Sequence, residues 1–83
     1  MTYKAAIDIM PLKELLDPQG KAVTASLTNL DLQEITNVRI GKHITLEVEA
    51  ADEATAREKV TTACDKLLVN KIMEQYDFTL SEA

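Results

Sequence analysis

Eighty-three residues with a formal net charge of −5 describe one small acidic domain, 1–83, whose core is modest. The chain has no Trp, one Phe and two Tyr, so the bulkiest core builders are scarce. The charge excludes nucleic-acid backbones and anionic membrane surfaces, which need clustered Lys and Arg.

Tyr3 to Met10 alternates, with Tyr3, Ala5, Ile7 and Ile9 on one face, and predicts a first strand. Pro11 stops it, because proline cannot donate into a ladder. The connection Leu12–Leu16 contains Leu12, Leu15 and Leu16, which are expected to lie over something, such as a second subunit. Asp17 is then the expected N-cap of a helix, with Pro18 at the first helical position. Gly20 costs a first turn roughly 1 kcal/mol relative to alanine. It is either a tolerated glycine at a frayed end or the mark of a close backbone approach. Val23, Leu27 and Leu30 recur at helical spacing, and Asn29 and Asp31 end this helix.

Gln33 to Ile40 alternates again and predicts a second strand, with Thr36, Val38 and Ile40 on one face. Gly41-Lys42 suits a two-residue type II′ hairpin turn. Arg39, Lys42 and His43 then form a small positive patch at its tip. Ile44, Leu46, Val48 and Ala50 face inward on a third strand, opposite His43, Thr45, Glu47 and Glu49.

Asp52 caps the longest helix, with Glu53 paired to Arg57 at i, i+4. Its apolar stripe is Ala56, Val60, Ala63, Cys64, Leu67 and Leu68, and Asn70 fits a left-handed C-terminal end. Tyr76, Phe78 and Leu80 alternate in a last strand. The order β-α-β-β-α-β predicts an α+β fold: a four-stranded antiparallel sheet with two helices on one face, the ferredoxin-like arrangement.

The chemistry expected of an enzyme is thin. His43 is the only histidine and sits beside a turn with no nucleophile set by the sequence. Cys64 lies on an apolar stripe and reads as a buried structural thiol. Glu47 and Glu49 share a strand face and read as solvated charges, as do Glu34, Glu53, Glu58, Glu74 and Asp77. Met73 reads as core or interface packing. The loop before the first helix lacks the arginine of an acylphosphatase, and the central strands lack the aromatics of an RNA-recognition module. One cysteine and one distant histidine give neither a disulfide nor a zinc site. Without such staples, association of copies is the expected source of further buried area. Met1–Lys4 runs straight into the first strand, residue 2 is Thr and no apolar run spans a bilayer, so a cytoplasmic setting is expected.

Leu16-Asp17-Pro18-Gln19-Gly20-Lys21-Ala22-Val23, Val38-Arg39-Ile40-Gly41-Lys42, Glu47, Leu67-Leu68-Val69-Asn70 and Met73-Glu74-Gln75-Tyr76 occur in order over nearly the whole chain. Together they resemble the PurS family, the small subunit of phosphoribosylformylglycinamidine (FGAM) synthase in purine synthesis. The chain departs from the family's pattern twice. It has no glycine near Leu30-Asp31-Leu32, and it has Lys71 rather than proline after Asn70.

The resemblance implies a subunit with no catalysis or cofactor of its own, present as a dimer or tetramer. It implies two partners: a large synthetase subunit that uses ATP and Mg, and a glutaminase subunit that supplies ammonia. It implies that Asp17, Pro18, Gln19, Gly20, Arg39, Gly41, Lys42 and His43 contact other subunits. For Asp17, Pro18 and Gly41, shaping a cap and a turn is the equal alternative. A small metabolite-binding regulatory domain on a similar fold is the alternative function.

Overall fold

A computed structural model describes residues 1–13 and 17–83. The first strand, β1 (Thr2–Pro11), is the middle of the sheet. The strands β2 (Lys42–Glu49) and β3 (Glu74–Glu82) flank it, both antiparallel, in the order β2-β1-β3. Side-chain alternation gives the sheet two unlike faces. On the inner face Ile7 lies opposite Ile44 and Phe78, and Ala5 lies opposite Leu46 and Leu80. On the other face lie His43, Thr45, Glu47 and Glu49 with Asp77 and Thr79, all exposed.

Helix α2 (Glu53–Ala63) covers the inner face. Asp52 caps it, accepting from Thr55 N at 2.8 Å, which holds the Asp52 carboxyl below its ordinary range. Glu53 and Arg57 pair at 3.7 Å, and the Arg57 guanidinium sits 5.2 Å from the centre of the Phe78 ring. Ala56, Val60 and Cys64 are buried beneath the helix. Burial raises the Cys64 thiol above its ordinary value, with the Asp65 charge adding to it, so the thiol is a packing group.

A single π-turn, Cys64–Leu68, ends the helix. The Val69 amide donates to the Cys64 carbonyl, five residues back, at 3.0 Å. The extra residue changes which side chains follow Cys64 inward. Leu68 and Val69 pack on the core, while Leu67 is 82% exposed. Leu67 therefore leaves the apolar stripe that a regular helix would give it.

The sheet has three strands among the described residues, not four, and residues 35–40 form no strand. The outer edges of β2 and β3 are unpaired among the described residues, so an edge is not what residues 35–40 lack. The amides of Val38 and Ile40 instead donate to the Thr24 hydroxyl, in the second turn of helix α1 (Pro18–Asn29), and to the carboxylate of Asp17, its N-cap. Asn37, at φ 58°, breaks the extended line. No type II′ turn forms at Gly41-Lys42 either. Gly41 does not take the positive φ that turn requires, and Lys42 already belongs to β2, opposite Ile9.

Helix α1 makes no extensive contact with a strand among the described residues, so the inner face carries one helix rather than two. A three-stranded sheet is about 10 Å wide between its outer strands, and one helix of about 10–12 Å diameter covers it. The 17–40 segment forms an arm that prolongs the molecule. Ten residues of strand and twelve of helix span roughly 33 and 18 Å, which together match the 52 Å long axis. The radius of gyration is 16.5 Å, against about 12 Å for a compact chain of this length. Of two helix-end expectations, the one at Asp31 holds and the one at Asn70 changes. Asp31, at φ 64°, takes the left-handed conformation after α1, where the family commonly has glycine. Asn70 has no positive φ. Its side chain accepts from Ile72 N at 3.2 Å, making an Asx turn.

Replacing Ile7, fully buried at the sheet centre, by alanine is expected to cost about 2–5 kcal/mol in urea unfolding. Leu67→Ala should stay within about 0.5 kcal/mol, because its side chain already lies in water. A large loss at Leu67 would contradict the π-turn's phase.

Candidate functional site

The two sequence stretches singled out above meet at one end of the sheet. Asp17, Pro18 and Gln19 from the start of α1 face Ile40, Gly41 and Lys42 across an open cleft, with Pro11 and Glu74 completing its lining. Leu16, at the head of the first stretch, lies outside the described residues, as do Glu14 and Leu15 of the leucine-bearing connection.

Asp17 joins the two sides. One carboxylate oxygen accepts from Gly20 N at 3.0 Å, the ordinary N-cap bond, and the other accepts from Ile40 N at 3.1 Å. These two bonds hold the Asp17 carboxyl below its ordinary range, Gly20 contributing most, and the Arg39 charge helps. Gly20 resolves in favour of close approach. It is buried, and a side chain there would run into the Val38 carbonyl and the Asp17 carboxylate. Gly41 has a similar reason, since a Cβ would meet the Ile9 carbonyl and the Met10 sulfur.

Three basic residues do not form one patch. Arg39 donates to the Pro11 carbonyl, at the end of β1. Lys42 is on the inner-face side of β2 and pairs with Glu74 at 3.2 Å. His43, the next residue, points to the other face, where its Nδ1 lies 2.6 Å from the Asp8 carboxylate. Strand alternation separates Lys42 from His43, so the cleft includes the first and not the second.

Glu74 lines the cleft, a position that reading it as a solvated charge passed over. Its side chain accepts from Asn70 N at 2.9 Å and from the Lys42 amine, and these bonds lower its carboxyl, the Asn70 amide contributing most. A signal for it exists in the sequence: Glu74 shares the parity of Tyr76, Phe78 and Leu80, which places it at the rim of the inner face. The Leu12 amide donates to the Met73 carbonyl at 2.9 Å, tying the same corner together. Arm, β1, β2 and the turn before β3 thus share one network.

Among the described residues that line the cleft there is no nucleophile–base pair. Among the described residues no group of three His, Cys, Asp or Glu side chains is placed to hold a metal ion. No helix among them is long and apolar enough to cross a membrane. What the cleft offers is a rigid corner with the Gln19 side chain exposed beside an ion pair, which suits contact with another surface.

A family model described as PurS, phosphoribosylformylglycinamidine (FGAM) synthase, matches residues 4–82. The PurS subunit of Synechocystis sp. is 41% identical over 80 residues, covering 96% of this chain and 80% of that protein. The fold superposes on Bacillus subtilis PurS with a TM-score of 0.87 at 35% identity, covering 96% and 99% of the two chains. It superposes on a chain in a structure of PurLQS from Thermotoga maritima with a TM-score of 0.89 at 34% identity, covering 98% and 99%.

The Asp17 bridge titrates in a defined direction. A carboxyl lowered in the folded chain stabilises above its unfolded pKa, about 3.9, and that contribution is lost as pH falls through the folded value. The Ile40 amide is therefore expected to stay protected from hydrogen exchange at about pH 4 and to open only as pH falls further, through the lowered folded value. Asp17→Asn, which leaves one acceptor oxygen, should open the same amide at neutral pH while α2 amides hold. Equal protection of Ile40 in both proteins would remove the bridge from the site.

Proposed function

The chain belongs to the PurS family and is a PurS subunit of FGAM synthase in purine biosynthesis, and on that premise we propose that it acts by assembly rather than by chemistry of its own. It binds a large synthetase subunit and a glutaminase subunit and helps the second dock on the first. Ammonia released from glutamine then passes to the synthetase site without escaping. Holding two centres in register and excluding water contributes to rate without any catalytic group on the positioning subunit. ATP and Mg bind to the synthetase. The complex works in the cytoplasm.

The observation that carries this reading is the full-length likeness to a chain within PurLQS. The cleft supports it, since its ordered polar groups position without reacting. The protein is also proposed to be a dimer or tetramer. Helix α1 leaves Val23 38% and Leu30 68% exposed, and the return segment leaves Ile35 42% exposed. A twelve-residue helix with no packed face is marginal alone, and a second copy would bury that surface. No observation favours a metabolite-binding regulator.

Lys42→Ala removes a part-exposed ion pair and should change the chain's stability by less than about 1 kcal/mol. Its capture of the synthetase and glutaminase, read by co-elution, is expected to weaken at least about fivefold. Arg39→Ala should act in the same direction. Undiminished assembly by both folded variants would sink the contact role given to this corner.

A further inference from the structure

The backbone bonds of β1 show where its pairing with β2 ends. The Ala50 amide donates to the Met1 carbonyl at 3.0 Å, so residues of odd number turn their backbone groups toward β2. The Ala83 amide donates to the Thr2 carbonyl at 3.0 Å and the Leu12 amide to the Met73 carbonyl at 2.9 Å, so residues of even number turn theirs toward β3. On the β2 side the last pair is Ile9 with Lys42. Two residues further the same register sets Pro11 opposite Ile40, as a pair that would exchange both backbone bonds.

Neither bond forms. Pro11 has no N–H to give the Ile40 carbonyl. The Pro11 carbonyl accepts from the Arg39 guanidinium instead, and the Ile40 amide donates to the Asp17 carboxylate at 3.1 Å. Pro11 still lies opposite Glu74 of β3, so the proline does not end the strand. It ends one of the strand's two ladders. The chains part there, and the space between them is the cleft. Pro11 and Ile40, which an unbroken ladder would join, both stand in its lining with Asp17, Gly41 and Lys42.

We infer that Pro11 is a positioning residue for assembly: by withholding one donor from the ladder, it leaves Arg39 and Asp17 to hold the 38–42 segment off β1, and so keeps the docking cleft open. The inference rests on the contact role proposed for this corner and deepens it. Pro11 acts through the pair it fails to make. Its replacement closes the cleft while every charged group of the corner stays in the chain.

The experiment uses the full chain, with hydrogen exchange read by NMR and capture of the synthetase and glutaminase subunits read by co-elution. Pro11→Val restores the donor with a side chain that suits a strand. Its new amide is expected to be protected at least about tenfold over an unpaired one, and capture to weaken at least about fivefold. A second comparison separates this from a general loss of stability. Asp17→Asn opens the Ile40 amide; adding Pro11→Val to it is expected to return protection at least about tenfold, because residue 11 can then complete the pair. Pro11→Ala supplies the same donor and takes the place of valine if that variant does not fold. A freely exchanging amide at residue 11 would overturn the inference, as would an Ile40 amide that stays open in the double variant. A protected residue 11 with undiminished capture would overturn the positioning role and leave the assembly role intact. Failure of the unmodified chain to capture either subunit would overturn the assembly role, and the positioning role with it.

Discussion

One carboxylate accepts the hydrogen bonds on which the arrangement of this molecule depends. Asp17 closes the first turn of α1 through Gly20 N and holds the 38–42 segment through Ile40 N. Without the second bond the arm would have little to fix it, because α1 buries no residue but Gly20. The glycines follow from this constraint. Gly20 lets the Val38 carbonyl come within touch of the helix, and Gly41 lets the chain cross the end of β1. The Thr24 hydroxyl, accepting from Val38 N and donating to the Gly20 carbonyl, repeats the link one turn further on.

The rest of the fold separates tasks by position. The inner face of three strands is closed by α2 through Val60 and Cys64, and it leaves no orphaned buried polar side chain among the described residues. The opposite face is polar and exposed. The ends of the strands nearest Lys42 and Glu74 gather the ordered corner, the arm and the apolar turn. A subunit that must touch several surfaces benefits from this geometry. A compact sphere of this size would hide the arm, whereas a 52 Å body presents it apart from the sheet.

The three basic residues near Gly41 show how local sequence and tertiary placement divide. Their proximity in sequence gave them a common patch, yet each finds a separate acceptor: the Pro11 carbonyl, Glu74 and Asp8. Alternation sets Lys42 and His43 on opposite faces once Lys42 is in the strand, and its pairing with Ile9 of β1 decides that. The same pairing turns Glu74 from a solvated charge into part of the cleft. Family membership, in contrast, was legible from short motifs, because they record local backbone needs such as a cap at Asp17 and close approaches at Gly20 and Gly41.

The sequence by itself determined what depends on neighbours a few residues away. It placed β1, α1, β2, α2 and β3 through their periods, and it named Asp17 and Asp52 as caps and Cys64 as a buried thiol. Only the tertiary structure decided whether residues 35–40 paired with a sheet edge, whether α1 covered the sheet, and whether Leu67 pointed in or out. Those outcomes depend on residues far along the chain. Val38 and Ile40 have the alternation of a strand, but their amides donate to Thr24 and Asp17 rather than to a strand. Leu67 has helical spacing from Cys64, but the Val69 amide reaches Cys64 one residue late and rotates it into water. Periodicity states which face a residue shares; packing alone states what that face meets.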